Sequence, residues 1–456
     1  VASTTQTDLN TVMRDKPSFI IVPETAAWKD NPVFRVMKSR VNRDAFVGKR
    51  IEVKIKTKIG GYAEGYAESQ DIPGGRSATW ATQYIDLKSV IANAQLTHQA
   101  ISRVSKADLS WIDAVTDSLA DMRTYHNYLL EVATLGNGTG IVAEVSGAAD
   151  GGSNVVTVSC NNAYPDNMIE NVQALRKGML VDFYQSDATT VRLANQEITA
   201  VTPAKRTPAG SYAAGVGTFT FTHAAGHGIV DGDLVVLKNS LNALPMGLAG
   251  MVQASASFQA TYGRVATFQN LARASYPSLQ AALLRAEDFG LTSESPANGT
   301  PTLWAPSVIS DAIGDAEATS GVLVTDLFMH VDTATALNRL NAATNQIAVQ
   351  VSSTTGIQQV VVGNQMAKVF ETADGRQIPI HACRTYPRHC ITGFSADAAH
   401  WSPAEEFDFI RMYGDIWGPT KDDRRWDFEA PYAGSYQFWM ERCDGSFTIQ
   451  DLRTDV

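Results

Sequence analysis

Residues 50–59 read RIEVKIKTKI and residues 85–91 read IDLKSVI, and these two stretches decide what kind of fold the chain can adopt. In the first, Ile51, Val53, Ile55 and Ile59 stand among Glu52, Lys54, Lys56 and Lys58. Successive side chains of a strand point to opposite faces, so this period of two predicts a strand with one wet, basic face. In the second, Ile85, Leu87 and Ile91 alternate with Asp86 and Lys88, which predicts a returning strand. The connection, Gly60-Gly61-Tyr62-Ala63-Glu64-Gly65 through Asp71-Ile72-Pro73-Gly74-Gly75-Arg76, is too long and too glycine-rich for a tight hairpin turn. Residues 46–104 are therefore predicted to form one long β-excursion running into a helix. An isolated two-stranded ribbon is marginal in water, so this one needs a surface outside itself. A neighbouring copy of the same chain is the simplest source of that surface, which points to assembly rather than catalysis.

Upstream, residues 1–45 show little periodicity and are punctuated by Pro17, Pro23 and Pro32, the pattern of an extended N-terminal arm with short helical pieces. Downstream, Ser105 to Leu135 places Ile112, Val115, Leu119, Met122, Leu129 and Val132 near one face of a helix. Ser105 or Asp108 can cap its start, and Gly136 stops it. A helix of that length spans about 40 Å and reads as a structural spine within residues 105–145.

From Val145 to about Leu241 the texture changes to short strands, at Val155–Ser159, Met179–Tyr184, Val191–Val201, Gly217–Thr222 and Asp233–Leu237. Two segments resemble each other: KGMLVDF at 177–183 and DGDLVVL at 231–237. In each a polar residue and a glycine set a turn before an apolar strand, so residues 146–240 are predicted to be an inserted small β-barrel or sandwich. Helical periodicity returns at Pro277–Phe289, Pro306–Ala318 and Thr333–Ala343, within residues 241–345. In residues 346–456 strands dominate, at Gln358–Val362, Ala367–Phe370, Gln377–His381 and Tyr436–Arg442. This mixture lacks regular βαβ alternation and predicts an α+β fold.

Composition narrows the function. The 456 residues, 44% hydrophobic and 18% charged, suit a soluble globular protein, and the net charge of −10 argues against a dedicated nucleic-acid reader. Four cysteines, Cys160, Cys383, Cys390 and Cys443, are too few for a disulfide scaffold. No apolar run approaches a membrane span, and the polar N-terminus predicts cytoplasmic synthesis. His381, Cys383, His389 and Cys390 are the one metal-like grouping, but their spacing fits no usual zinc knuckle, and ordinary strand and core roles are expected. Gly136 to Gly140 follows a helix instead of opening one, so it is a stop and not a phosphate cradle. Asp231-Gly232-Asp233 lacks the acidic run of a calcium loop. The mixed-sign run Lys421 to Asp427 reads as a solvated loop or an intersubunit ion-pair patch, and Tyr432, Tyr436, Phe438 and Trp439 as core or interface. No catalytic, cofactor-binding or metal site is expected.

In their order, arm, extended loop, spine helix, β-insertion, further helices and closing strands resemble the major capsid protein of tailed bacteriophages, the Hong Kong phage-type capsid fold. The local stretches that carry the likeness are YAESQDIP at 66–73, IDLKSVI at 85–91 and Ala430-Pro431-Tyr432 to Phe438. The resemblance implies an icosahedral head-shell subunit of the virion, assembled in the host cytoplasm into pentamers and hexamers. It implies an extended loop lying across a neighbour, residues 346–456 as the axial domain with closing strands, and residues 241–345 as peripheral-domain helices. It also implies double-stranded DNA enclosed without sequence-specific binding, and portal, scaffold and decoration proteins as further partners. The intersubunit contacts expected on this basis are Lys54, Lys56, Lys58, Tyr62, Tyr66, Glu68, Arg76, Arg424 and Arg425. An encapsulin-like nanocompartment subunit shares the fold and is the allied alternative. A hydrolase with a β-accessory domain is the rival from another class, and it lacks a recognisable nucleophile or acid/base constellation.

Overall fold

The computed structural model describes residues 32–43, 50–61, 75–97, 109–150, 154–162, 167–203, 217–223, 226–252, 267–285, 306–344, 369–372, 374–388, 390–410, 418–419 and 427–450. It opens with helix α1 (Pro32–Arg40) and the short strand β1 (Asn42–Arg43). Strands β2 (Arg50–Lys58) and β3 (Thr79–Asp86) then pair antiparallel, from Arg50 opposite Asp86 to Lys58 opposite Thr79, with a bulge between Lys56 and Lys58. The next strand, β4 (Lys88–Thr97), begins one residue later and leaves the ribbon. Here the structure corrects the single excursion over 46–104, because β4 joins a different sheet. Alternation runs unbroken through Leu87, and a period of two records which face a side chain takes, not which strand lies alongside.

Helix α2 (Leu109–Leu135) follows, and from Leu130 to Leu135 every residue on it is buried. Its end is plugged between the sheet that holds β4 and a closed barrel of six strands: β5 (Ile141–Asp150), β6 (Val155–Asn162), β7 (Leu180–Tyr184), β8 (Val191–Thr202), β9 (Gly217–Thr222) and β10 (Leu234–Leu237). The ring order β10-β5-β6-β9-β8-β7 maps onto itself when β5, β6 and β7 exchange with β8, β9 and β10. The two similar segments of the sequence carry this internal two-fold. Gly178 (φ +84°) and Gly232 (φ +82°) make the same left-handed turn, where glycine is favoured. The Gly178 N–H donates to Ile198 O and the Ile198 N–H returns to Met179 O; the Gly232 N–H donates to Val145 O and the Val145 N–H returns to Asp233 O. In the β7–β10 ladder Asp182 lies opposite Val236, its own counterpart in the repeat, so the axis passes through that pair. Phe183, Phe219 and Phe221 fill the interior with ring centroids 5.4–6.4 Å apart, each burial contributing about 1.5–3 kcal/mol.

The barrel is tied into the body. Met168, Ile169, Val172 and Leu175, from the loop before β7, are buried in one continuous core with α1, the end of α2, Trp401 and Phe438. From the same loop, Glu170 accepts the Arg388 N–H at 3.0 Å and donates its own N–H to Thr385 O at 2.7 Å.

After the barrel come helix α3 (Leu248–Met251), the hairpin β11 (Thr267–Phe268) and β12 (Leu271–Ala272), and strand β13 (Ala282–Arg285). Helix α4 (Pro306–Ser320), strand β14 (Asp326–His330) and helix α5 (Val331–Thr344) precede β15 (Val369–Glu371), β16 (Gln377–Cys383), β17 (Ile391–Phe394), β18 (Ala399–Phe409), β19 (Gly418–Pro419), β20 (Asp427–Met440) and β21 (Phe447–Gln450). The helix expected at Pro277–Phe289 is a second correction. Pro277–Leu279 is a single 3-10 turn, and Ala282–Arg285 pairs in parallel with Phe447–Gln450. Ala-Leu-Leu-Arg has good helix propensity, but a partner strand more than 160 positions away overrides it. With β14 in the same six-stranded sheet, in the order β13-β21-β17-β14-β16-β15, that sheet draws strands from both sides of position 346. Helices α4 and α5 pack on it through a second core that includes Ile309, Ile313, Leu337, Leu327 and Ile449. The other sheet runs β1-β18-β20-β19, with β4 also on β20 from Lys88 opposite Tyr436 to Thr97 opposite Asp427. No helix among the described residues is long and apolar enough to cross a membrane. The strand expected at Gln358–Val362 lies outside the described residues.

Candidate assembly interface

The ribbon of β2 and β3 changes character along its length. At its stem Gln83 and Ile85 are fully buried, whereas at its far end Trp80 is 55% exposed and Ile59 84% exposed. Lys54, Lys56 and Lys58 are all exposed on β2. Lys56 lies opposite Trp80 with its ammonium 5.7 Å from the ring centroid, and Lys54 and Lys58 make no ion pair among the described residues. Arg50 and Asp86, opposite each other at the stem, form a two-pronged ion pair at 2.6 and 3.1 Å. That hydrogen bonding raises the Arg50 pKa, and the Tyr84 ring lies 4.9 Å from the guanidinium. Both partners are about half exposed, so the pair orients more than it stabilises. Residues 50–86 hold five cations and five acids and so balance, but the cations concentrate on β2, where Arg50, Lys54, Lys56 and Lys58 against Glu52 leave a local surplus of three positive charges in a chain whose total is −10. Beneath β2 runs a cleft of about 580 Å³, bounded by Val53–Thr57 on one side and by Tyr276, Pro277 and Arg442 on the other.

Of the predicted contact residues, the structure places Lys54, Lys56 and Lys58 on this ribbon, and Arg76 closes its end by accepting the Gly61 N–H at 2.7 Å. Tyr62, Tyr66, Glu68, Arg424 and Arg425 lie outside the described residues. Reasoning from charge alone missed Trp80 and Ile59. An isolated tryptophan in a stretch as polar as Arg76 to Gln83 was the signal that could have found it.

Among the described residues no group of three His, Cys, Asp or Glu side chains is placed to hold a metal ion. Cys160, Cys383, Cys390 and Cys443 are buried and unbridged, and burial pushes the Cys443 thiol up to about 11, away from the reactive thiolate. The His381 Nε2–H donates at 2.7 Å to the fully buried Asp326 carboxylate, which also binds Arg40 at 3.1 Å. No nucleophile hydrogen-bonds to that imidazole among the described residues, so the trio fastens α1 to the six-stranded sheet. His389 lies outside the described residues. Asp233 of the former calcium candidate instead binds Arg192 at 2.8 Å and caps its own turn at the Val230 N–H. Tyr436, Phe438 and Trp439 are buried.

The chain is similar in structure to the capsid asymmetric unit of cyanophage A-1(L), at 9% identity and a TM-score of 0.46, covering 95% of this chain and 97% of that one. It is similar to the capsid of the native GTA particle at 8% identity and 0.42, covering 95% and 96%. It is also similar to the capsid of Myoviridae phage XM1 at 7% identity and 0.40, covering 97% and 98%. All three are capsid structures. No protein-family model and no curated protein matches the sequence.

The sheet that β4 joins also carries an acid-sensitive contact. His126 of α2 is buried with its ring edge-on to Phe407 and Tyr432, at 4.7 and 4.9 Å between centroids. Burial lowers its pKa to about 4. His330, which caps α5 by accepting the Asp332 N–H at 2.9 Å, is likewise lowered, chiefly by burial. Folding therefore favours both neutral imidazoles. The stability they allow is fully present above the unfolded value near 6.5, and for His126 it is lost as pH falls from there toward about 4. We expect His126→Phe to remove on the order of 2 kcal/mol of the acid destabilisation, measured by denaturant melts between pH 7 and 4.5. Parallel pH profiles for parent and variant would exclude His126 as a titrating group.

Proposed function

We propose that this chain is the structural subunit of a tailed-phage head shell and that the β2–β3 ribbon is its principal contact with a neighbouring copy. The observation that carries this reading is the gradient along the ribbon, buried and bonded at the stem, basic along β2, with Trp80 and Ile59 exposed at the far end. A large apolar side chain held out on a two-stranded arm costs solvation unless another surface covers it. The acidic remainder of the same chain offers the complementary charge. A head-to-tail contact of this kind generates rings and, with a second contact, closed shells. In this reading pentamers and hexamers form through the segment after residue 346, the barrel is carried as an insertion, and assembly takes place in the host cytoplasm. The net charge of −10 suits a wall that encloses double-stranded DNA without adhering to it, and portal, scaffold and decoration proteins would be its further partners. The role is mechanical and needs no active site.

Electron microscopy and sedimentation of the purified full chain test the proposal. Closed icosahedral shells are expected. A chain that stays monomeric at every concentration and salt tried, or that shows hydrolase activity abolished by a single substitution, would overturn it.

A further inference from the structure

The turn between β11 and β12 meets the ribbon in an unusual way. One edge of β3 is occupied by β2, and at the other edge no strand pairs with it among the described residues. There the Asn270 side chain takes a strand's place: its Oδ1 accepts the Tyr84 N–H at 2.5 Å and its Nδ2 donates to Thr82 O at 3.0 Å. Between those two residues the Gln83 side chain turns inward, fully buried, and donates to Gln269 Oε1 at 2.8 Å. Gln269 Nε2 donates in turn to Phe438 O of β20 at 3.3 Å. A fourth amide, Gln437, donates to Asp86 O at 3.2 Å where the ribbon ends.

The turn retains these side chains against its own backbone preference. Gln269 has φ +58°, a left-handed conformation at the first position of a two-residue hairpin turn, where glycine is the usual occupant. A glycine would relax the backbone and lose the amide. The turn is also mounted rigidly, since Phe268 is fully buried beneath the Arg273 guanidinium, which donates to Leu279 O at 2.6 Å and to Gly250 O. We propose that Gln269 and Asn270 are positioning residues, an amide clasp that sets the angle at which the ribbon leaves the body. This rests on the reading of the ribbon as an intersubunit contact, and it assigns that contact's geometry to neutral groups. Ribbon angle is then independent of pH and little affected by salt, unlike the lysine contacts farther out.

The test uses Gln269→Gly and Asn270→Ala, singly and together, in the full chain. Gln269→Gly relieves the turn, so a merely structural role predicts an unchanged or higher melting midpoint and an unchanged ribbon. The clasp predicts instead that amide hydrogen exchange across Thr79–Asp86 in the unassembled protein accelerates about tenfold or more in the double variant, with the melting midpoint held. It also predicts that the protein concentration needed for shells rises. Exchange that stays at the parent rate overturns the clasp, as does faster exchange with shells forming at the parent's concentration. If exchange accelerates but the parent itself makes no shells, the clasp stands and the assembly reading falls.

Discussion

Replacing Lys54, Lys56 and Lys58 together by glutamate is expected to abolish shell formation while leaving the unassembled chain folded. All three side chains are exposed, and among the described residues their one partner is the Trp80 ring at Lys56, so the fold loses little. Strand β2, by contrast, passes from a surplus of three positive charges to a deficit of three. Each exposed pair across a subunit contact is worth at most about 1 kcal/mol, and each reversal converts attraction to repulsion of similar size. Three reversals per contact, repeated at every contact of a closed shell, exceed what the remaining surface can supply. The matching glutamine variant removes attraction without adding repulsion, so it should assemble weakly, and more weakly at high salt. Sedimentation and electron microscopy at equal protein concentration separate the three proteins. Normal shells from the glutamate variant would show that the ribbon's charge has no part in assembly. The unassembled parent should also show negligible DNA binding at physiological salt, and tight, salt-sensitive binding would contradict a non-adhering wall.

Gly247→Ala is expected to destabilise the chain by about 3 kcal/mol or more, although the substitution adds one methyl group. Gly247 has φ −111°, which any residue can adopt, so backbone strain is not the cause. A Cβ at this position would lie 2.2 Å from Thr134 O and 2.3 Å from Ala133 O, both main-chain atoms at the buried end of α2. Those atoms cannot swing aside as a side chain can. The Gly247 N–H also donates to Gly136 O at 2.9 Å, pinning the segment after the barrel to the segment before it. Relief therefore requires moving the barrel's root or the helix end, each inside the main core. Gly314→Ala is the control: it is exposed in mid-α4 with nothing within 4 Å of a Cβ, and it should stabilise by about 0.5–1 kcal/mol. Denaturant melts of both variants measure the contrast. A Gly247→Ala protein as stable as its parent would mean that α2 and the barrel root are not in contact as described.

Much of this architecture was legible before any coordinates. Alternation at Ile51, Val53 and Ile55 marked the strand that the structure gives as Arg50–Lys58, and the apolar spacing from Leu119 to Val132 marked a helix that ends, as read, before Gly136. The repeated Lys177-Gly178 and Asp231-Gly232 turns marked equivalent positions of the barrel. These signals are local, because the side-chain period of a strand or helix and the left-handed turn of a glycine act within a few residues. The sequence by itself therefore determined the types of these elements, the basic face of β2 and the absence of recognisable catalytic motifs. Only the tertiary structure decided that β4 parts from the ribbon to join β20, that Ala282–Arg285 is a strand, and that Gln269 and Asn270 hold the ribbon's stem. Each of these depends on a partner more than 100 residues away in sequence, and a hydrogen bond between distant segments leaves no period in either of them.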